Sequence, residues 1–127
     1  MTLHHAVVWL DHTKAQVIHF DLKAAESESL KTHSAHPHPQ SKFGDQKHAN
    51  ESDNTAFYAD IAIALKDSIE ILIVGPAEEK TAFMKHLTEN VPAIADKIKG
   101  IETVDHPTDG QLLAYARKHF QSAGGLH

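Results

Sequence analysis

The chain has 127 residues, with 12 Lys and Arg against 17 Asp and Glu, a formal charge of −5 when its 12 histidines are neutral. That length supports one domain with one buried core and is too short for two. The negative balance disfavours a sequence-independent grip on nucleic acid, which needs clustered Lys and Arg, and the absence of cysteine removes disulfides, thiolate zinc sites and cysteine nucleophiles.

The N-terminal stretch His5-Ala6-Val7-Val8-Trp9-Leu10 is an apolar, β-prone run that ends at Asp11. It lacks a basic n-region, and no apolar stretch in the chain approaches the roughly 20 residues that cross a bilayer. A cytoplasmic location without a membrane partner is the expectation. After the polar turn Asp11-His12-Thr13-Lys14, the segment Gln16-Val17-Ile18-His19-Phe20 alternates with period two. The two runs predict an antiparallel hairpin in which Trp9 and Phe20 are core and His19 faces solvent. Ser27 to Thr32 supplies a third strand.

Composition changes between His33 and Ser52, where Pro37 and Pro39 stand among almost no apolar residues. A long mobile loop over 33–52 is predicted. His33, His36 and His38, with His48 nearby, have spacings that can chelate zinc or nickel. No cysteine or carboxylate completes a tetrahedral set beside them, so adventitious binding is the reading, with no specific metal and no cofactor.

From Asp53 the pattern alternates helix and strand. Phe57, Ile61 and Leu65 form the buried stripe of a helix over 53–66. Ile69 to Val74 is nearly continuous and β-branched, as in a strand buried on both faces. It ends at Gly75-Pro76, with Pro76 expected at the first position of a helix running to Asn90. Ile98 to Val104 reads as a strand interrupted by Gly100. Thr108-Asp109-Gly110-Gln111 is a Thr-x-x-Gln capping box opening a last helix, whose Leu112, Leu113, Ala116 and Phe120 share a face. The fold class is α/β: a mixed sheet with an N-terminal antiparallel hairpin, parallel strands and covering helices.

In such sheets ligands favour the loops at the carboxyl ends of the parallel strands. Two loops qualify, Gly75 to Lys80 and Asp105 to Gly110. Glu78, Glu79 and Asp109 occupy the helix starts there, where carboxylates stabilise the dipole and repel a phosphate. Asp11, Asp21, Asp60, Asp105 and Asp109 are the acids from which a two-metal nuclease site could be built, although aspartate at turns and caps is ordinary. No nucleophile elbow, phosphate-cradling glycine loop or Ser/His/Asp set is present. The sequence offers no catalytic residue.

The segment from Ile69-Glu-Ile-Leu-Ile-Val-Gly-Pro-Ala-Glu-Glu-Lys to Ile101-Glu-Thr-Val-Asp-His-Pro-Thr-Asp-Gly-Gln resembles a known group. It is similar to bacterial proteins related to the C-terminal domain of archaeal and eukaryotic class 1 release factors and to Pelota, some labelled host-attachment or translational-machinery proteins. The resemblance covers about the last 60 residues and extends to the N-terminal hairpin, its most specific element being Thr108-Asp109-Gly110. It implies a translational-machinery-component-like fold and a domain that binds a partner GTPase without hydrolysing the peptidyl bond. The Gly-Gly-Gln tripeptide of peptide release is absent, since Gly124-Gly125 is followed by Leu126. The function this implies is a non-catalytic binding module beside the translation apparatus, with a protein or ribosome as partner. Gly75, Pro76, Asp105, His106, Thr108, Asp109 and Gly110 are its candidate contact residues. RNA contact is open but opposed by charge, and homo-oligomerisation is open. A metal-dependent nuclease and a host- or cell-surface interaction protein are the alternatives.

Overall fold

Strand and helix periodicities resolve into five strands and four helices in the computed structural model, which describes residues 3–31 and 46–122, with side chains from 55 onward in the second segment. In chain order these are β1 (His5–Leu10), β2 (Lys14–Phe20), β3 (Ala25–Lys31), α1 (Gln46–Leu65), β4 (Glu70–Gly75), α2 (Glu79–Asn90), α3 (Pro92–Ala95), β5 (Ile98–Thr103) and α4 (Asp109–Ser122). The sheet order is β3-β2-β1-β4-β5. β1 pairs antiparallel with β2 and parallel with β4, β2 pairs antiparallel with β3, and β4 pairs parallel with β5. The expected mixed sheet, with a hairpin at one side and parallel strands at the other, is what forms.

The central strands β1 and β4 are covered on both faces, which is why they read as continuous apolar runs. Val8, Leu10, Val17, Ile71 and Ile73 pack on one face beneath α1 and α2, with Phe57, Ile61, Leu65, Phe83 and Leu87 opposite them. Val7, Trp9, Ile18, Phe20, Leu72 and Val74 fill the other face beneath Leu112, Ala116 and Phe120 of α4. Full burial of each Val, Leu, Ile or Phe among them contributes about 1.5–3 kcal/mol. The sheet is therefore the middle of three layers.

Three expectations are corrected. The helix expected from Asp53 begins at Gln46, because Gln46-Lys47-His48-Ala49 holds helix formers and no glycine or proline; a polar stretch can be helix as well as loop. The rest of the expected loop, with His33, His36 and His38, lies outside the described residues. Pro76 is not the first helical residue. The carbonyl of Glu78 is the first acceptor, taking Thr81 N–H at 3.0 Å and Ala82 N–H at 3.1 Å, so α2 starts at Glu79. Finally, His19 is half-buried: its Nε2 bonds the carbonyl oxygen of Ala64 at 2.8 Å, because α1 covers that face of β2.

Candidate functional site

The carboxyl ends of β1, β4 and β5 converge on one corner of the molecule. There the chain leaves β5 through Val104, whose N–H donates to the carbonyl of Gly75 at 2.9 Å. Gly75 is required at that spot, since a Cβ would overlap the carbonyl oxygen of Leu10 on the neighbouring strand. From β1, the indole Nε1–H of Trp9 donates to the carbonyl oxygens of Asp105, at 2.5 Å, and Val104, at 3.3 Å. The loop after β5 is thus tied to both central strands.

Exposed His106 lies against Trp9, with ring centroids 5.1 Å apart, and its Nδ1–H donates to the Asp105 carboxylate at 2.8 Å. The loop ends in the anticipated capping box. Gln111 N–H donates to Thr108 Oγ1 at 3.2 Å, while Thr108 N–H donates to Gln111 Oε1 at 2.9 Å. Two orphan N–H groups at the start of α4 are satisfied in this way. Gly110 is different from Gly75: a Cβ there would meet nothing within 4 Å among the described residues.

Beside the loop lies a cleft of about 310 Å³ between the first turn of α4 and the α4-side face of β2 and β3. Lys14, Gln16, Ser29 and Lys31 come from the sheet, His106 and Asp109 from the loop and helix, with Trp9 behind. Of the residues singled out in the sequence, His106 and Asp109 line it; Gly75, Pro76, Asp105, Thr108 and Gly110 frame the corner without lining the cleft. Lys14, Gln16, Ser29 and Lys31 escape sequence reading because they come from the hairpin, far along the chain. Their common face follows only from the register, in which Lys14 pairs with Lys31 and Gln16 with Ser29.

The acids that could build a nuclease site are dispersed in role. Asp11 accepts from Thr13 N–H, Thr13 Oγ1–H and Lys14 N–H at 2.8–2.9 Å, closing the first turn. Asp21 closes the second turn by accepting from Lys23 and Ala24 N–H groups at 2.8 and 2.7 Å. Among the described residues no group of three or more His, Cys, Asp or Glu side chains is gathered so as to hold a metal ion. The tyrosine hydroxyls serve packing, Tyr58 donating to Glu79 and Tyr115 to Glu102. Burial and the Glu102 carboxylate push the Tyr115 phenol up to about 12, so it stays protonated as the donor. Among the described residues, no helix is long and apolar enough to cross a membrane.

No protein-family model matches the chain, and no curated protein matches it in sequence. Solved structures match it in fold. Pelota from Archaeoglobus fulgidus is 12% identical with a TM-score of 0.64, the match covering 94% of this chain and 32% of that one. Dom34 of S. cerevisiae, described as a translation termination-like factor interacting with Hbs1, is 11% identical at a TM-score of 0.60, covering 97% and 35%. The archaeal translation termination factor aRF1 gives 11% and 0.59, covering 94% and 38%. The chain therefore has the fold of a release-factor-like domain and spans about a third of the length of each of these proteins.

Proposed function

We propose that this chain is a non-catalytic binding module of the translation apparatus, meeting a protein or ribosomal partner through the corner formed by Gly75, Pro76 and the loop from Asp105 to Gly110. The observation that carries the reading is the structural likeness to Pelota, Dom34 and aRF1 over nearly the whole chain. The build of the corner supports it further. Asp105, His106, Thr108 and Asp109 are exposed, yet their backbone is pinned by Trp9 and the capping box, so a partner would meet a surface that is already ordered. A GTPase of translation is the favoured protein partner, and a cytoplasmic location follows from the reading.

Co-sedimentation with ribosomes and capture of a purified translation GTPase test it. Binding that weakens with Asp109→Asn or His106→Ala, in proteins that melt like the parent, is the expected result. Mg²⁺- or Mn²⁺-dependent cleavage of RNA or DNA, lost on neutralising Asp11 or Asp109, would instead make the chain a nuclease.

A further inference from the structure

Lys14 and Lys31 stand directly opposite each other across the β2–β3 ladder and both line the cleft. Like charges in that relation are destabilising. Among the described residues no carboxylate lies within ion-pair distance of either ammonium; the Lys14 Nζ instead sits over the Trp9 ring, 5.8 Å from its centroid. His106 borders the same space, with its Nδ1–H on the Asp105 carboxylate at 2.8 Å. Asp109 alone, among the described residues of the lining, carries a carboxylate; it belongs to the α4 wall and opposes an anion there, so the two lysines on the sheet wall are the side on which a phosphate is held. A chain of net charge −5 thus holds together two cations that have no carboxylate partner among the described residues, in a concave site large enough for a small ligand.

From this juxtaposition we infer that the cleft binds a phosphate monoester, with Lys14 and Lys31 as its charge partners; the Ser29 hydroxyl beside them already donates to Gln16 Oε1 at 2.6 Å. The charge count selects the ligand. A phosphate monoester carries about −1.5 to −2 at neutral pH and three acceptor oxygens, which satisfies both ammoniums; a single carboxylate leaves one uncompensated. Lysine serves such a group as a point charge and needs no bidentate geometry. The chain's overall negative charge opposes an extended phosphate backbone, so the site is for one terminal or free phosphate group. The charge partners lie on the sheet face beside the loop, while His106 and Asp109 border both this cleft and the proposed docking corner; Lys31→Gln therefore tests the cleft without touching the loop.

Trp9 is the chain's single tryptophan and lies behind the cleft, so its emission reports occupancy. The full chain is titrated at constant ionic strength with inorganic phosphate, adenosine 5′-monophosphate, adenosine and sodium chloride. A saturable change with phosphate and with the monophosphate, and none with adenosine or chloride, is expected. Tighter binding of the monophosphate assigns a nucleotide source, and equal binding assigns the free anion. Lys31→Gln should weaken binding about fivefold or more while melting, without phosphate, at or above the parent temperature, since the like-charge pair is gone. Calorimetric titration of Lys14→Gln guards against a direct effect on the indole. No saturable response, an equal response to chloride, or a smaller loss in Lys31→Gln overturns the inference.

Discussion

The indole Nε1–H of Trp9 donates to the backbone carbonyl of Asp105 across 2.5 Å, joining the end of the central strand to the exposed loop after β5. Trp9 is 4% exposed, so its ring is core while its one polar atom sets the loop's position, the division of labour expected of a buried indole. Trp9→Phe keeps an aromatic ring and removes the donor from two carbonyls. The expected cost is about 1–2 kcal/mol in urea unfolding, with faster amide exchange confined to the 104–108 segment. Equal protection of that segment in the variant would show that Trp9 does not position it.

Thr108→Ala removes the acceptor for Gln111 N–H and breaks the reciprocal pair. A loss of about 1 kcal/mol is expected from chemical denaturation. Asp109→Asn should differ little from the parent in the same measurement, because Asp109 contributes only a dipole interaction in an exposed first turn.

Gly75 and Gly110 should respond in opposite directions to alanine. At Gly75 the added methyl meets a backbone oxygen of the adjacent strand, which cannot move without parting β1 from β4; destabilisation of about 1–3 kcal/mol is expected. At Gly110, in the first turn of α4, the methyl meets open space, and the gain should be about 0.5–1 kcal/mol. If the partner's backbone approaches that turn closely, Gly110→Ala will also weaken capture. Melting curves and the binding assay on the same two variants separate these effects.

Most of the architecture was legible because it is local. The run Ile69 to Val74 announces a doubly covered strand, observed at Glu70–Gly75; Phe57, Ile61 and Leu65 announce a helix face, and Thr108 with Gln111 announces a cap, each through neighbours a few residues apart. The start of α1 was not legible, since polar helix formers have the same composition as a polar loop. The short α3 helix (Pro92–Ala95) went unread because its 4 residues make a single turn, with no second turn to show a repeat. The cleft was half legible. His106 and Asp109 lie in the loop that strand-end reasoning selects, whereas Lys14 and Lys31 are 17 residues apart in number and meet only through the pairing of β2 with β3.

The two hairpin turns give the fold an acid limit whose direction follows from Asp11 and Asp21. Burial alone would raise the Asp11 carboxyl, but hydrogen bonds from Thr13 and from Lys14 N–H outweigh it and hold the group below its ordinary 3.8. The Asp21 carboxyl is held below 3.8 chiefly by the N–H groups of Ala24 and Lys23, and Arg117 of α4 clamps the same turn by donating to the carbonyls of Asp21 and Ala24. A carboxyl with a depressed folded value binds fewer protons folded than unfolded. Its stabilising contribution is therefore complete above the ordinary value and lost as pH falls through the folded one. Asp11→Asn with Asp21→Asn keeps a carbonyl oxygen able to accept the same N–H bonds but abolishes the titration. Melting temperatures of parent and double variant, compared from about pH 5 down to 2, should converge as the parent loses its advantage. Parallel curves throughout would show that these two turns do not set the acid limit.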